Sequence, residues 1–138
     1  MDNSVKKSKN NQKNMKKGYL IVRINIKNAE LFQQYPPLST KAVEKFGGKY
    51  LIRGGKFEVV EGKWPAERTT VVEFESFDKA KEFYNSLEYN EAKKVRQESA
   101  DTDFILIEGY YLFLKKFSAI FNFSFFFSKS NESISISC

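Results

Sequence analysis

Apolar positions change period several times along this chain, and each change marks an element. From Gly18 to Ile26 they alternate: Leu20, Val22, Ile24 and Ile26 share one face, and Tyr19, Ile21, Arg23 and Asn25 the other. A period of two predicts a strand, here one whose second face is only partly polar. Asn28 then stands where a helix N-cap is expected. Leu31, Phe32, Tyr35, Leu38, Ala42, Val43 and Phe46 follow at helical spacing. Pro36-Pro37 interrupts that run and predicts a kinked or split helix, and Gly47 suits its C-terminal cap. Lys49 to Arg53 reads as a short strand that breaks at Gly54-Gly55 and resumes over Lys56 to Glu61. Arg68 to Glu75 is the next strand, with Thr70, Val72 and Phe74 on one face. Ser76 caps a helix with apolar positions at Phe77, Ala80, Phe83, Tyr84 and Leu87, and a second helical piece carries Tyr89, Ala92 and Val95. Phe104 to Tyr110 is the last strand.

The resulting order, β-α-β-β-α-β, predicts an α+β ferredoxin-like protomer: an antiparallel sheet with its helices on one face, the helical segments supplying right-handed crossovers. The uncovered face still carries apolar side chains, among them Ile21 and Val71. A sheet face of that kind wants a partner, so the expected partner is a second copy, a homodimer.

Composition narrows the chemistry. The 138 residues include no histidine and one cysteine, Cys138. That removes Ser-His-Asp and Cys-His triads, histidine general acid-base chemistry and histidine-ligated metals, so no metal and no cofactor are expected. A single cysteine fits a reducing, cytoplasmic setting. The net charge of +6 is unevenly placed: +5 on residues 1–17, −1 on 18–110 and +2 on 111–138. Basicity therefore belongs to the ends, which argues against nucleic acid as the domain's partner. Residues 1–17 read as a disordered Asn/Lys-rich arm without a secretory apolar region. Residues 18–110 form the expected domain. Residues 111–138 hold seven of the fourteen phenylalanines and end in a Ser-rich run. The uninterrupted apolar stretch is too short to span a bilayer, and this tail reads as lying outside the domain. An amphipathic addition to the core and a membrane-surface contact are the alternatives.

The chemically richest block runs from Gly47 to Phe74. It holds two Gly-Gly pairs, Arg53, Arg68, Glu61 and the only tryptophan, Trp64. Arg53, at a strand end just before Gly54 and Gly55, has the form of an anion clamp, since a guanidinium forks onto carboxylates and glycines admit a ligand. The competing reading is an ion pair with Glu58 or Glu61 across a dimer. Trp64 walls a pocket or anchors its loop, and anchoring is the favoured reading. Arg68 and Glu61 flank that loop and are expected to pair across it. Tyr35 and Tyr89 are amphipathic, suited to the rim of a cavity or to hydrogen bonding inside one. Arg96 reads as part of a solvated helix face. No phosphate loop, nucleophile elbow or carboxylate pair is present, and Glu61 is the one carboxylate worth nominating as a base.

The motif GG-x-Y-L-x-R-GG, then E-G-x-W-P-x-E-R and E-F, resembles the domain-of-unknown-function family 1330 (DUF1330), with the resemblance spanning Lys16 to Tyr110. It implies a ferredoxin-like protomer pairing as a dimeric α/β barrel. The wider superfamily that the resemblance points to includes cofactor-free monooxygenases, isomerases, haem-binding enzymes and ligand sensors. Carried to this chain, that is an analogy of fold. It implies a small homodimer, either a metal-free enzyme acting on a small anionic or aromatic molecule or a non-catalytic module binding such a ligand. Arg53, Gly54, Gly55, Tyr35, Glu61, Trp64, Arg68 and Tyr89 are the candidate ligand contacts.

Overall fold

The computed structural model describes residues 16–110; the Asn/Lys-rich arm up to residue 15 and the Phe-rich tail lie outside the described residues. The elements are β1 (Gly18–Ile26), α1 (Ala29–Phe32), α2 (Tyr35–Lys45), β2 (Lys49–Arg53), β3 (Arg68–Phe74), α3 (Phe77–Tyr84), α4 (Leu87–Ser99) and β4 (Ala100–Glu108). The strands form one antiparallel sheet in the order β2-β3-β1-β4. This is the ferredoxin-like α+β arrangement that the periodicity predicts. Among the described residues no helix is long and apolar enough to cross a membrane.

Local chemistry sets the helix boundaries. Asn28 has extended backbone, and its side chain accepts from the Leu31 N–H at 3.0 Å. Ser76 does the same for Lys79 at 3.0 Å, and Ser86 for Tyr89 at 3.2 Å. Each satisfies a backbone donor that the first helical turn leaves free. Pro36-Pro37 splits the first helical run into α1 and α2, with proline in the first turn of α2. There the missing N–H has no intrahelical acceptor to lose.

Alternation along the strands sorts the side chains. Leu20, Val22, Ile24, Val72 and Phe74 are buried beneath the helices with Phe32, Val43, Ala80, Phe83, Tyr89 and Ala92. Aromatic rings knit this layer: Phe83 lies 5.0 Å from Phe74 and 4.5 Å from Tyr89, and Tyr84 lies 5.3 Å from Phe104. On the other face the register aligns Ile52, Val71, Ile21 and Ile105 in one row across all four strands. Beside it Tyr19 donates to its cross-strand partner Glu73 at 3.0 Å, and Arg23 to Asp103 at 2.9 Å.

Two strand expectations need correction. Lys56–Glu61 is not a strand, although Phe57, Val59 and Val60 are strand-favouring residues. Arg53 already pairs with Thr70, and the Gly54 N–H reaches the Thr69 carbonyl at 2.9 Å. That leaves only Arg68 of β3 ahead of them, so the chain beyond Gly54 has no ladder left to join. The last strand begins at Ala100 rather than Phe104 and ends at Glu108 rather than Tyr110. The polar run Asp101-Thr102-Asp103 hides its start, but these residues pair with Asn25, Ile24 and Arg23, and Ala100 with Ile26. Pairing along the full length of β1 outweighs the weak local propensity of aspartate.

Gly18 shows how tightly α3 enters the sheet. A Cβ there would stand 2.3 Å from the Ser76 carbonyl oxygen and 2.7 Å from the Phe77 Cα, both backbone atoms. Gly18→Ala is expected to destabilise the domain by about 1–3 kcal/mol, lowering Tm by at least about 4 °C. Gly55→Ala, where nothing lies within 4 Å of the added carbon, should leave Tm unchanged. Thermal denaturation followed by circular dichroism measures both, and equal midpoints for the two variants would contradict this packing.

Candidate functional site

The helices do not close completely over the sheet. They leave a cavity of about 330 Å³ floored by Leu20, Val22 and Val72. Tyr35 and Ser39 of α2 and Tyr89 of α4 wall it, and the exposed residues Arg53, Gly54 and Arg68 stand at its mouth. Pockets of this size, mostly apolar with a few convergent polar groups, suit a small organic molecule.

The β2-β3 connection builds the mouth. Arg53 sits opposite Thr70 and therefore on the helix side of the sheet. Gly54 follows with φ of +66°, a conformation that glycine adopts without strain, and a Cβ there would meet the Arg68 Nε at 3.3 Å. The turn thus brings two guanidinium groups to one opening. Arg53 Nη2 donates to Thr40 Oγ1 at 2.6 Å, and the guanidinium carbon lies 4.1 Å from the centre of the Tyr50 ring. This fixes one edge of the group and leaves its remaining donors for a ligand. The expected ion pair of Arg68 with Glu61 is absent among the described residues.

At the inner end the Tyr35 and Tyr89 hydroxyls lie 2.9 Å apart. Burial pushes the Tyr35 phenol well above its usual range, with Tyr89 adding to the rise. Burial raises Tyr89 as well, while the neighbouring Arg96 cation pulls the other way. Both therefore remain neutral hydrogen-bonding groups rather than bases.

Arg96 corrects the expectation of a solvated side chain. It is 3 % exposed, stacked with its guanidinium carbon 4.4 Å from the centre of the Phe104 ring. Nη1 donates to Thr102 Oγ1, while Nε and Nη2 are buried without a partner. The sequence held a signal for this. Tyr89, Ala92, Arg96 and Ser99 fall on one face at spacings of three and four, and all four are buried.

The remaining candidates lie elsewhere. Trp64 Nε1 donates to Thr69 Oγ1 at 3.0 Å, and the Arg23 guanidinium carbon is 5.3 Å from the indole centre. Thr69 and Arg23 belong to the uncovered sheet face, so Trp64 ties the loop to that side. Gly55, Glu61 and Trp64 border a second, surface groove that shares Arg53 with the cavity, together with Ile52 and Val59. The cavity thus gathers Tyr35, Arg53, Gly54, Arg68 and Tyr89, and leaves out Gly55, Glu61 and Trp64.

Comparison with solved structures agrees with the architecture. A protein of unknown function from Rhodopseudomonas palustris, RPA0582, superposes with a TM-score of 0.59 at 18% identity, covering 78% of this chain and 95% of its own. The methylated form of RPA0582 gives 0.58 at 18% identity, over 77% and 92%. At such identities the likeness is one of fold alone. SnoaB, a cofactor-independent oxygenase from Streptomyces nogalater, superposes at a TM-score of only 0.42 with 8% identity, over 73% and 99%, and carries no functional argument. No curated protein matches the chain. Residues 17–110 match the domain of unknown function DUF1330, which is most of the chain. The chain is a member of the DUF1330 family.

Proposed function

We propose that the domain binds a small organic anion with an apolar or aromatic body in the cavity between sheet and helices. The observation that carries this reading is the pairing of Arg53 and Arg68 at the mouth of an otherwise largely apolar cavity. A carboxylate on the ligand meets the guanidinium pair, and its hydrocarbon part fills the space above Leu20, Val22 and Val72. The walls bring cations and hydroxyls but no carboxylate. That composition favours binding, and the electrostatic stabilisation of an oxygen anion, over proton abstraction by the protein. A non-catalytic ligand-binding module follows most directly. A metal-free enzyme remains the second reading, using the same cavity to stabilise charge that its substrate generates. The single cysteine of the sequence supports a cytoplasmic setting for either.

The uncovered sheet face supports a homodimer. The Ile52-Val71-Ile21-Ile105 row spans about 14 Å at ordinary strand spacing. Ile52, Ile105 and the neighbouring Ile107 are each roughly half exposed. The row is bordered by Lys49 and Glu73 on one side and by Arg23 and Asp103 on the other. A rim with both signs of charge is self-complementary under a two-fold axis, which makes a second copy the fitting occupant.

Titration calorimetry with 4-isopropylbenzoate tests the site. Arg53→Ala and Arg68→Ala should each weaken binding by about tenfold or more, the loss expected for a charge-assisted hydrogen bond. The neutral amide of the same ligand should bind the wild-type protein more weakly than the acid. Unchanged affinity in both arginine variants would reject the anion site. Sedimentation equilibrium tests the pairing separately. The wild-type chain should run at twice its 16.1 kDa mass, and Ile105→Lys, on the outward face, should run as a folded monomer. A wild-type monomer at micromolar concentration would overturn the homodimer.

A further inference from the structure

Charges and protons at the inner end of the cavity do not balance. Tyr35 and Tyr89 form one hydrogen bond with each other, which uses one of their two phenolic protons. The second proton needs an acceptor. Arg96, beside Tyr89, carries donors only and can supply none. Its own Nε and Nη2 are buried and unpartnered, and among the described residues no carboxylate pairs with it. Lys93 adds to the positive surroundings, with Nζ 5.8 Å from the centre of the Tyr89 ring. The cluster is therefore rich in donors, poor in acceptors and positively charged, at the back of a cavity whose walls are otherwise mostly apolar. The Thr102 hydroxyl and the Phe104 ring compensate this buried cation in part, and leaving its other donors unpaired is costly.

We propose that this cluster is a second anchor: the hydroxyl pair of Tyr35 and Tyr89, polarised by the buried Arg96 cation, binds an oxygen acceptor at the far end of the ligand. This rests on the reading of the cavity as a site for an organic anion, and it narrows the class. The ligand is bipolar, with a carboxylate held at Arg53 and Arg68 and a carbonyl or oxyanion oxygen at its other end. Keto-acids and aryl acids with an acylated or oxyanionic far end meet that description. Simple aryl or alkyl acids do not. Arg96 is a positioning residue here. It lies behind Tyr89 and Phe104, which line the cavity, and acts on the ligand through the hydroxyl pair. Its charge favours the arrangement in which a phenolic proton points at the ligand, because negative charge gathering on that oxygen is drawn towards the guanidinium.

Two probes of nearly equal shape separate the two ends. 4-Acetylbenzoate and 4-isopropylbenzoate share the carboxylate, and only the first carries an acceptor oxygen at the para position. The full-length wild-type chain should bind the acetyl compound more tightly, by about tenfold. Its bound C=O stretch should shift to lower frequency in the infrared. Arg96→Met should abolish both the preference and the shift, and Arg96→Lys should restore part of each. Tyr35→Phe, which keeps the ring, should likewise lose the preference, and it supplies the test if Arg96→Met does not fold. Equal binding of the two probes by wild type, or a preference and shift that survive in Arg96→Met or Tyr35→Phe, overturns the second anchor while the anion site stands. Failure of both probes to bind the wild-type protein, or binding that Arg53→Ala and Arg68→Ala leave untouched, overturns the anion site and the second anchor with it.

Discussion

The structure depends on β1 being paired along both edges and used on both faces. Gly18–Ile26 lies between β3 and β4, and residues from Gly18 to Ile24 have a partner on each side. Leu20 and Val22 serve as core residues and as cavity floor at once, because the helices that should cover them stop short. One residue away, Tyr19, Ile21 and Arg23 form the opposite face. Since the side-chain period of a strand is two, a one-residue slip of β1 would exchange these roles throughout. Gly18 helps prevent that, because α3 touches the strand at the one position where no side chain fits.

Core and candidate site are built from the same side chains. Tyr89 is completely buried, packs on Phe83 and Phe104, and also presents its hydroxyl at the inner end of the cavity. Phe104 packs against Tyr84 and carries the Arg96 guanidinium on its other contacts. A polar group so embedded is held in place by packing, and preorganisation of that kind is what makes a buried donor effective. The mouth is different. Arg53 and Arg68 are exposed side chains placed by the turn at Gly54, and water screens them more strongly.

What the sequence disclosed was what local chemistry decides. Asn28 and Ser76 could be read as caps because a side-chain oxygen at that position has one evident use, and Pro36-Pro37 as a split because proline cannot continue a hydrogen-bonded helix. Lys56–Glu61 could not be read correctly. Its phenylalanine and valines favour a strand, but a strand requires a neighbour, and β3 runs out of residues before reaching it. The start of β4 failed in the opposite sense, where a neighbour exists and the residues look polar. Among the candidate contacts, Arg53, Gly54, Arg68, Tyr35 and Tyr89 come together through the β2-β3 pairing and the seating of α2 and α4. Those are long-range events that no spacing encodes. Trp64 and Glu61 stand only a few residues from Arg68 in sequence and on the other side of the sheet in space.

Arg96 is the instructive omission. It follows Lys93, Lys94 and Val95 on a helix whose composition is mostly polar, so the charge alone suggested solvent. The better guide is its phase. Position 96 is seven residues from Tyr89, two helical turns along the same face, and the intervening Ala92 is small enough to let that face lie close to the sheet. An arginine in phase with an apolar stripe must bury its guanidinium, find a counter-charge or reach past the stripe to water. Here it is buried, stacked on an aromatic ring, and short of acceptors. Tyr89, which this cation neighbours, lines the cavity, so the charge bears on that space through the Tyr89 hydroxyl. Donors thus stand at both ends of the cavity, guanidinium groups at the mouth and hydroxyls within.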